Sequence, residues 1–438
     1  MAANLMAGAA TADITPANSQ FLFGYPHVPR MSTGVHDPLL SAALYLSDGK
    51  HPLLWIANDV IYVSRDSTRR ARERIERETG VKADCVMISA THTHSGPMTV
   101  DILNNGADPA VPKTDPRYVQ HLEDGIVRAA VQAFRDARPA ELGMAVADGS
   151  CVGTNRHDPA GPSIPETPVF AVRDRQSKSY LAAMAICAMH PTVLHEDSTL
   201  LSGDFPAATR KYLQDEILGR DCPVIYHTGP CGNQSPRYVT KANTFAEADR
   251  LGRLLGASIA EAMNNLDYAT DLELSSARAE VTLPRRPILS IDNARNDYES
   301  AARRLEELRR ENADRREIRT AECDWFGAEE MFALAQAAES GKIEAAAASV
   351  MPAEIMLARI GPWRLVGWPG ESFVEFALEV KASHPACHFI SMANGELQGY
   401  LVTEEAVRNK WYEAMTSIFQ SPQSGRLFVE KTLELLEK

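Results

Sequence analysis

Apolar runs alternate with amphipathic stretches along most of this chain. Residues 52–57 (PLLWIA) are continuously apolar, which predicts a buried strand. Residues 66–79 form a polar helical stretch, with Gly80 placed to stop it. Residues 84–89 read as the next strand, and 118–137 as a helix ended by Arg138-Pro139. Residues 180–189 (YLAAMAICAM) are apolar enough for a strand covered on both faces. A helix at 206–218, a short strand at 223–226 and a long helix at 245–264 follow. The pattern closes with a strand at 363–368, a helix at 371–383 and a strand at 388–392. This alternation predicts an α/β fold whose mostly parallel or mixed sheet is covered by helices.

Residues 293–348 break the rhythm. They are dense in Arg, Glu and Ala with almost no turn chemistry, and read as two or three helices forming an insertion or a partner face. The run Arg303, Arg304, Arg309, Arg310, Arg315 and Arg316 against Glu306, Glu307 and Glu311 reads as a solvated helix surface. With no repeat and no low-complexity linker, residues 1–438 are expected to form one domain carrying this helical insertion. The insertion is also a candidate contact for a homo-oligomer.

Charge and composition narrow the partners. Lys+Arg is 45 and Asp+Glu is 58, a formal charge of −13, which excludes a nucleic-acid scaffold that needs a basic field. No apolar run reaches the roughly eighteen residues of a spanning helix, so no integral membrane segment is expected. The first residues, Met1 to Thr11, lack a basic region and a long apolar core, so no signal peptide is expected. Seven cysteines without a Cys-x-x-Cys pair read as reduced thiols in a cytoplasmic protein.

Open α/β sheets bind ligands beyond the carboxyl ends of their strands. The predicted strand ends are followed by Thr91-His92-Thr93-His94-Ser95-Gly96-Pro97, by His190-Pro191, by a Gly- and Pro-rich loop holding Cys231 and Ser235, by Pro369-Gly370-Glu371, and by a segment ending in Tyr400. His92 and His94 alternate on an extended segment, so both face one way only if the loop turns. One then ligates a metal while the other faces substrate; the plainer reading is a polar loop. His190 reads either as a core histidine or as a second imidazole ligand, and Glu371 either as a ligand or as a favourable charge at a helix N-terminus. Two His and one Glu from distant strands make a catalytic zinc set with room for a water. Ser235 lies where backbone N–H groups face a ligand, Cys231 is a weaker candidate nucleophile, and Arg156 either steadies an oxyanion or is a surface arginine.

Taken in order, these landmarks resemble the neutral/alkaline non-lysosomal ceramidases. The match runs through Ala7-Gly-Ala-Ala-Thr-Ala-Asp-Ile-Thr-Pro16, Ser89-Ala-Thr-His-Thr-His-Ser-Gly-Pro97, Asn155-Arg156, His190-Pro191, Gly203-Asp204-Phe205-Pro206, Gly232-Asn-Gln-Ser-Pro236, Pro369-Gly-Glu371, Gly399-Tyr400 and Tyr412-Glu413-Ala414. The resemblance implies a zinc amidohydrolase acting on linear C–N amide bonds. His92, His190, Glu371 and Tyr400 would hold Zn2+, His94 would be the catalytic histidine, Arg156 would contact substrate, and Ser235 and Tyr412 would act in the site. The chain departs from the family at Asn233, where an acid is usual, and at Arg237, where a cation is gained. The family's C-terminal β-sandwich is expected to be absent, and a soluble small-molecule amide fits an anionic chain better than membrane ceramide. The rival readings are an ester or lactone hydrolase on the same site, and a binding protein that has lost catalysis.

Overall fold

The structure is a computed structural model that describes residues 5–25, 28–106, 108–264 and 266–438. Met1–Asn4, part of the stretch weighed as a leader, lie outside them. Eight strands form the larger sheet: β1 (Met6–Asp13), β2 (Leu40–Ser47), β3 (Pro52–Asn58), β4 (Val86–Ala90), β5 (Arg138–Asp148), β6 (Glu166–Asp174), β7 (Tyr180–Cys187) and β8 (Val224–Thr228). Their order across the sheet is β8-β7-β6-β5-β1-β2-β3-β4. Of the two sheet types expected, the mixed one is found. Only the outermost pairs, β8 with β7 and β3 with β4, are parallel, and the five pairings between them are antiparallel. A smaller sheet orders β9 (Leu274–Val281), β10 (Ala353–Ile360), β11 (Trp363–Gly367) and β12 (Cys387–Ile390).

Alternation along each strand explains how the layers stack. On β3, Leu53, Trp55 and Ala57 join a core shared with Met356 and Ile360 of β10, Leu365 of β11 and Ile390 of β12. Leu54 and Ile56, between them, pack instead with Ile75 of α1 (Arg65–Thr79) and Leu122 and Ile126 of α2 (Pro116–Arg135). The two sheets therefore face each other, with helices on the outer faces. Both strand faces are buried, and that is why residues 52–57 are continuously apolar. The other half of the large sheet is covered by α3 (Asp204–Leu213) and α4 (Phe245–Met263).

The helix stop at Gly80 is where the sequence put it, and the start is set by a cap. Ser64 accepts from Ser67 N at the start of α1, and Gly80 ends the helix with φ 77°. The region read as an insertion is α5 (Ile291–Arg310), α6 (Arg315–Glu339) and α7 (Lys342–Val350). The helix read at 371–383 begins later, as α8 (Val374–Ser383). Glu371–Ser372 instead pairs in parallel with Tyr400–Leu401. Short helices α9 (Glu404–Arg408) and α10 (Tyr412–Thr416) precede α11 (Ser421–Leu436).

Candidate active site

β4 delivers His92 and His94, and β7 delivers His190. The loop does turn: His92 has φ 66°, a left-handed conformation unusual for a residue with a side chain. Both imidazoles consequently face His190, with ring centroids 5.0 Å apart for His92–His94, 4.7 Å for His92–His190 and 5.8 Å for His94–His190. Each Nδ1 meets a backbone carbonyl: Ile61 O at 2.9 Å for His92, Gly24 O at 3.1 Å for His94, and Cys231 O at 2.6 Å for His190. A donating Nδ1–H leaves the Nε2 lone pair free to bind a cation. The three imidazoles offer ligand atoms within 4.8 Å of one another. The Nε2 atom of His94 is buried without a hydrogen-bond partner among the described residues. Gly24 makes the His94 contact feasible, because a Cβ there would lie 2.3 Å from His94 Nδ1. Burial, reinforced by His92 and His190, holds the His94 pKa well below the ordinary range, so its imidazole is neutral.

Glu371 stands three residues ahead of α8 and faces the histidines, which overturns the helix-dipole reading. Its Oε2 lies 3.0 Å from His190 Nε2 and 3.2 Å from His92 Nε2. The Tyr62 hydroxyl donates to its Oε1. Tyr400, directly opposite Glu371 in the parallel pair, faces Tyr412 with ring centroids 6.0 Å apart. Three inward imidazole nitrogens beside a buried carboxylate fit a divalent metal ion of the borderline-soft kind.

The loops around this cluster are tied by their own backbones. Thr154–Asn155 pairs with Gln234–Ser235, and Arg156 N donates to Asn233 O at 2.8 Å, so Arg156 and Ser235 are held side by side. Arg156 Nε donates to Glu413 Oε1 at 2.6 Å, and its guanidinium stands 5.6 Å from the centre of the Tyr400 ring. His157 also reaches Glu413, at 3.0 Å, while stacking on Trp411 at 3.9 Å. Asp204 accepts from Val193 N and Leu194 N, fixing the chain just beyond His190.

Asn233, the departure from the family, has a local explanation. Its amide oxygen accepts from Val374 N at the start of α8, and its nitrogen donates to Glu375. A carboxylate there would repel Glu375. Arg237 turns to the insertion, donating to Arg316 O and Thr320 Oγ1 of α6. Cys231 is buried, burial pushes its thiol well above the ordinary range, and its carbonyl holds His190, so the thiol-nucleophile reading falls.

All eight residues that the resemblance implies for the site gather here. His94, Arg156, His190, Ser235, Tyr400 and Tyr412 line a cavity of about 790 Å³, and His92 and Glu371 are packed against them. Sequence reasoning gave no role to Tyr62, His157 or Glu413, although Glu413 stands in one of the matching landmarks, and all three have partners in the site. Tyr62 gave little signal, since it sits among the apolar Val60, Ile61 and Val63 just beyond the strand at 52–57. It also missed Arg315, Arg316 and Arg319, which line the same cavity although part of the run was read as solvated surface.

Residues 5–222 match the family model described as neutral/alkaline non-lysosomal ceramidase, N-terminal. The crystal structure of a neutral ceramidase from Pseudomonas aeruginosa is similar over 99% of this chain and 75% of that one, with a TM-score of 0.75 and 18% identity. A ceramidase complexed with C2 gives the same figures. At that identity the likeness concerns the fold. No curated protein sequence matches.

Proposed function

Since residues 5–222 belong to the neutral/alkaline non-lysosomal ceramidase family, a family of hydrolases, we propose that this protein is a zinc-dependent hydrolase of soluble N-acyl amides. The observation that carries the reading is the set of inward Nε2 atoms, with their Nδ1 atoms on carbonyls, opening beside Ser235 into the cavity. His92, His190, Glu371 and Tyr400 would hold the zinc. When bound there, zinc supplies a Lewis acid that polarises a carbonyl.

The remaining steps belong to the chain's own residues. His94, neutral and facing the cavity, accepts a proton and passes it to the leaving amine. Arg156, fixed by Glu413, stabilises the negative charge that develops on the amide oxygen. Ser235 either attacks the carbonyl or orients the attacking water, and Tyr412 closes the site next to Tyr400. Ligands drawn from positions 92 to 400 support a single domain. Seven free cysteines support a cytoplasmic location.

The cavity lining supports a soluble substrate over ceramide. Five arginines among the described lining residues favour a polar, charged substrate, with Phe326, Trp411 and four tyrosines supplying flat aromatic contacts beside them. No helix among the described residues is long and apolar enough to cross a membrane. Elemental analysis of the purified protein, with hydrolysis of short- and long-chain N-acyl amides followed in the same samples, tests the reading. The expected result is about one zinc per chain by the tetrahedral-site argument, and chelator-sensitive cleavage favouring short chains. Full activity in metal-free protein would sink it.

A further inference from the structure

The α6 side of the cavity carries charge that the proposed hydrolysis leaves unused. Arg315, Arg316 and Arg319 line it from α6, and Arg237 from the loop after Ser235. Among the described lining residues five arginines face three carboxylates, although acids outnumber bases along the chain. Of those carboxylates, Glu413 is engaged by Arg156 and His157, and Asp314 caps α6 by accepting from Arg316 N. Asp324 is the third.

Arg319 is neutralised by Glu196 and Glu322, at 3.2 and 3.0 Å. Arg237, Arg315 and Arg316 have no carboxylate within 4.0 Å among the described residues. Two of them are held close together. Arg237 Nη2 donates to Arg316 O at 3.0 Å, and the two guanidinium groups stand 5.9 and 5.7 Å from the centre of the Tyr238 ring. Three arginines of α5 differ: Arg303 pairs with Glu299, Arg304 with Glu317 and Arg309 with Glu322, while Arg310 at its end does not line the cavity. The solvated-surface reading therefore suits α5. At the start of α6 the side chains are exposed, as that reading expects, but they also line the cavity, where gathered like charges repel one another until an anion relieves them.

We infer that this wall is an anion subsite, and that the substrate carries a carboxylate, sulfate or phosphate group received by Arg237, Arg315 and Arg316 while its amide lies at the histidine cluster. Guanidinium forks suit such oxyanions in geometry and charge. The inference takes the hydrolase reading as given for the word substrate, but the anion subsite itself does not need turnover.

Two measurements separate the claims. The first compares a ladder of N-acyl ω-amino acids with the matching N-acyl amino alcohols, in wild type and in the double variant Arg315→Gln/Arg316→Gln. The acids are expected to have the higher kcat/KM by about tenfold, and the double variant and added salt should erase that preference. Equal rates on acids and alcohols would overturn the subsite while leaving amide hydrolysis intact. The second is calorimetric titration of succinate and of its neutral diamide into the same two proteins. Any contribution from the metal centre is common to both. Succinate is expected to bind about tenfold more weakly to the variant, with the diamide not discriminating. Equal succinate affinity would overturn the subsite even if no amide is cleaved, whereas failure to cleave any amide would overturn only the hydrolase reading.

Discussion

The floor and the roof of the cavity are built on opposite principles. On the floor His92, His190 and Glu371 are at most 2% exposed, and each imidazole is fixed through Nδ1 to a backbone carbonyl. On the roof Arg315 and Arg316 are exposed on α6 and have no acidic partner among the described residues. A buried, doubly tethered side chain has one geometry, which bond-making chemistry requires. A long exposed arginine has many, which suits recognition of a group whose position varies. On the proposed function, reaction type and substrate choice would be written in separate parts of this fold, a division that substitution can break.

The largest effect is expected on the floor. His92→Ala should bring metal content to background and lower kcat by at least ~10³-fold, since the ion's transition-state stabilisation is several kcal/mol. Elemental analysis and turnover on one sample check this, and an active, metal-free variant would remove the floor from the chemistry. Ser235→Ala should keep the metal and lose at least ~10²-fold in kcat, whether the hydroxyl attacks or orients a water. Loss of the metal as well would make Ser235 part of the scaffold that holds His190.

Tyr62→Phe acts one bond further out. It removes the hydroxyl that donates to Glu371 Oε1 and keeps the ring beside His92. Supporting partners of this kind typically change metal affinity by ~10–100-fold. Competition with a calibrated chelator measures it. Unchanged affinity would mean that the two histidines alone orient Glu371.

The same division explains what could be read in the sequence. The floor was legible because its residues follow apolar strands directly and come in unusual company: two histidines in four residues after 84–89, one histidine after 180–189, Pro-Gly-Glu after 363–368. The layer arrangement was less so. β1 (MAGAATAD) and β2 (LSAALYLS) are rich in small residues, so their alternation is faint, and they supply antiparallel pairings that the strand–helix rhythm conceals. Tyr400 came from resemblance, because its pairing with Glu371 joins segments far apart in sequence. The roof was read only in part: its arginines are exposed as expected, but their place on the cavity was not legible, for a physical reason. The sequence patterns of α5 and α6 are alike, and only packing decides that Arg304 meets Glu317 while Arg316 meets the cavity.

The smallest effect tests the seam between the two regions. Thr320 Oγ1 accepts from Arg237 Nη2 at 2.8 Å and donates to Arg316 O at 3.0 Å, joining the Ser235 loop to α6. Thr320→Val keeps the shape and removes both contacts. Exposed hydrogen bonds of this sort contribute about 0.5–1 kcal/mol, so KM for an anionic amide should rise roughly two- to fivefold. The change should fall on KM, because the hydroxyl orders the arginines and touches neither histidine nor Ser235. A fall in kcat as large as that of Ser235→Ala would mean that the loop carrying Ser235 takes its position from α6. Floor and roof would then be one device, with substrate recognition setting the geometry of the reaction.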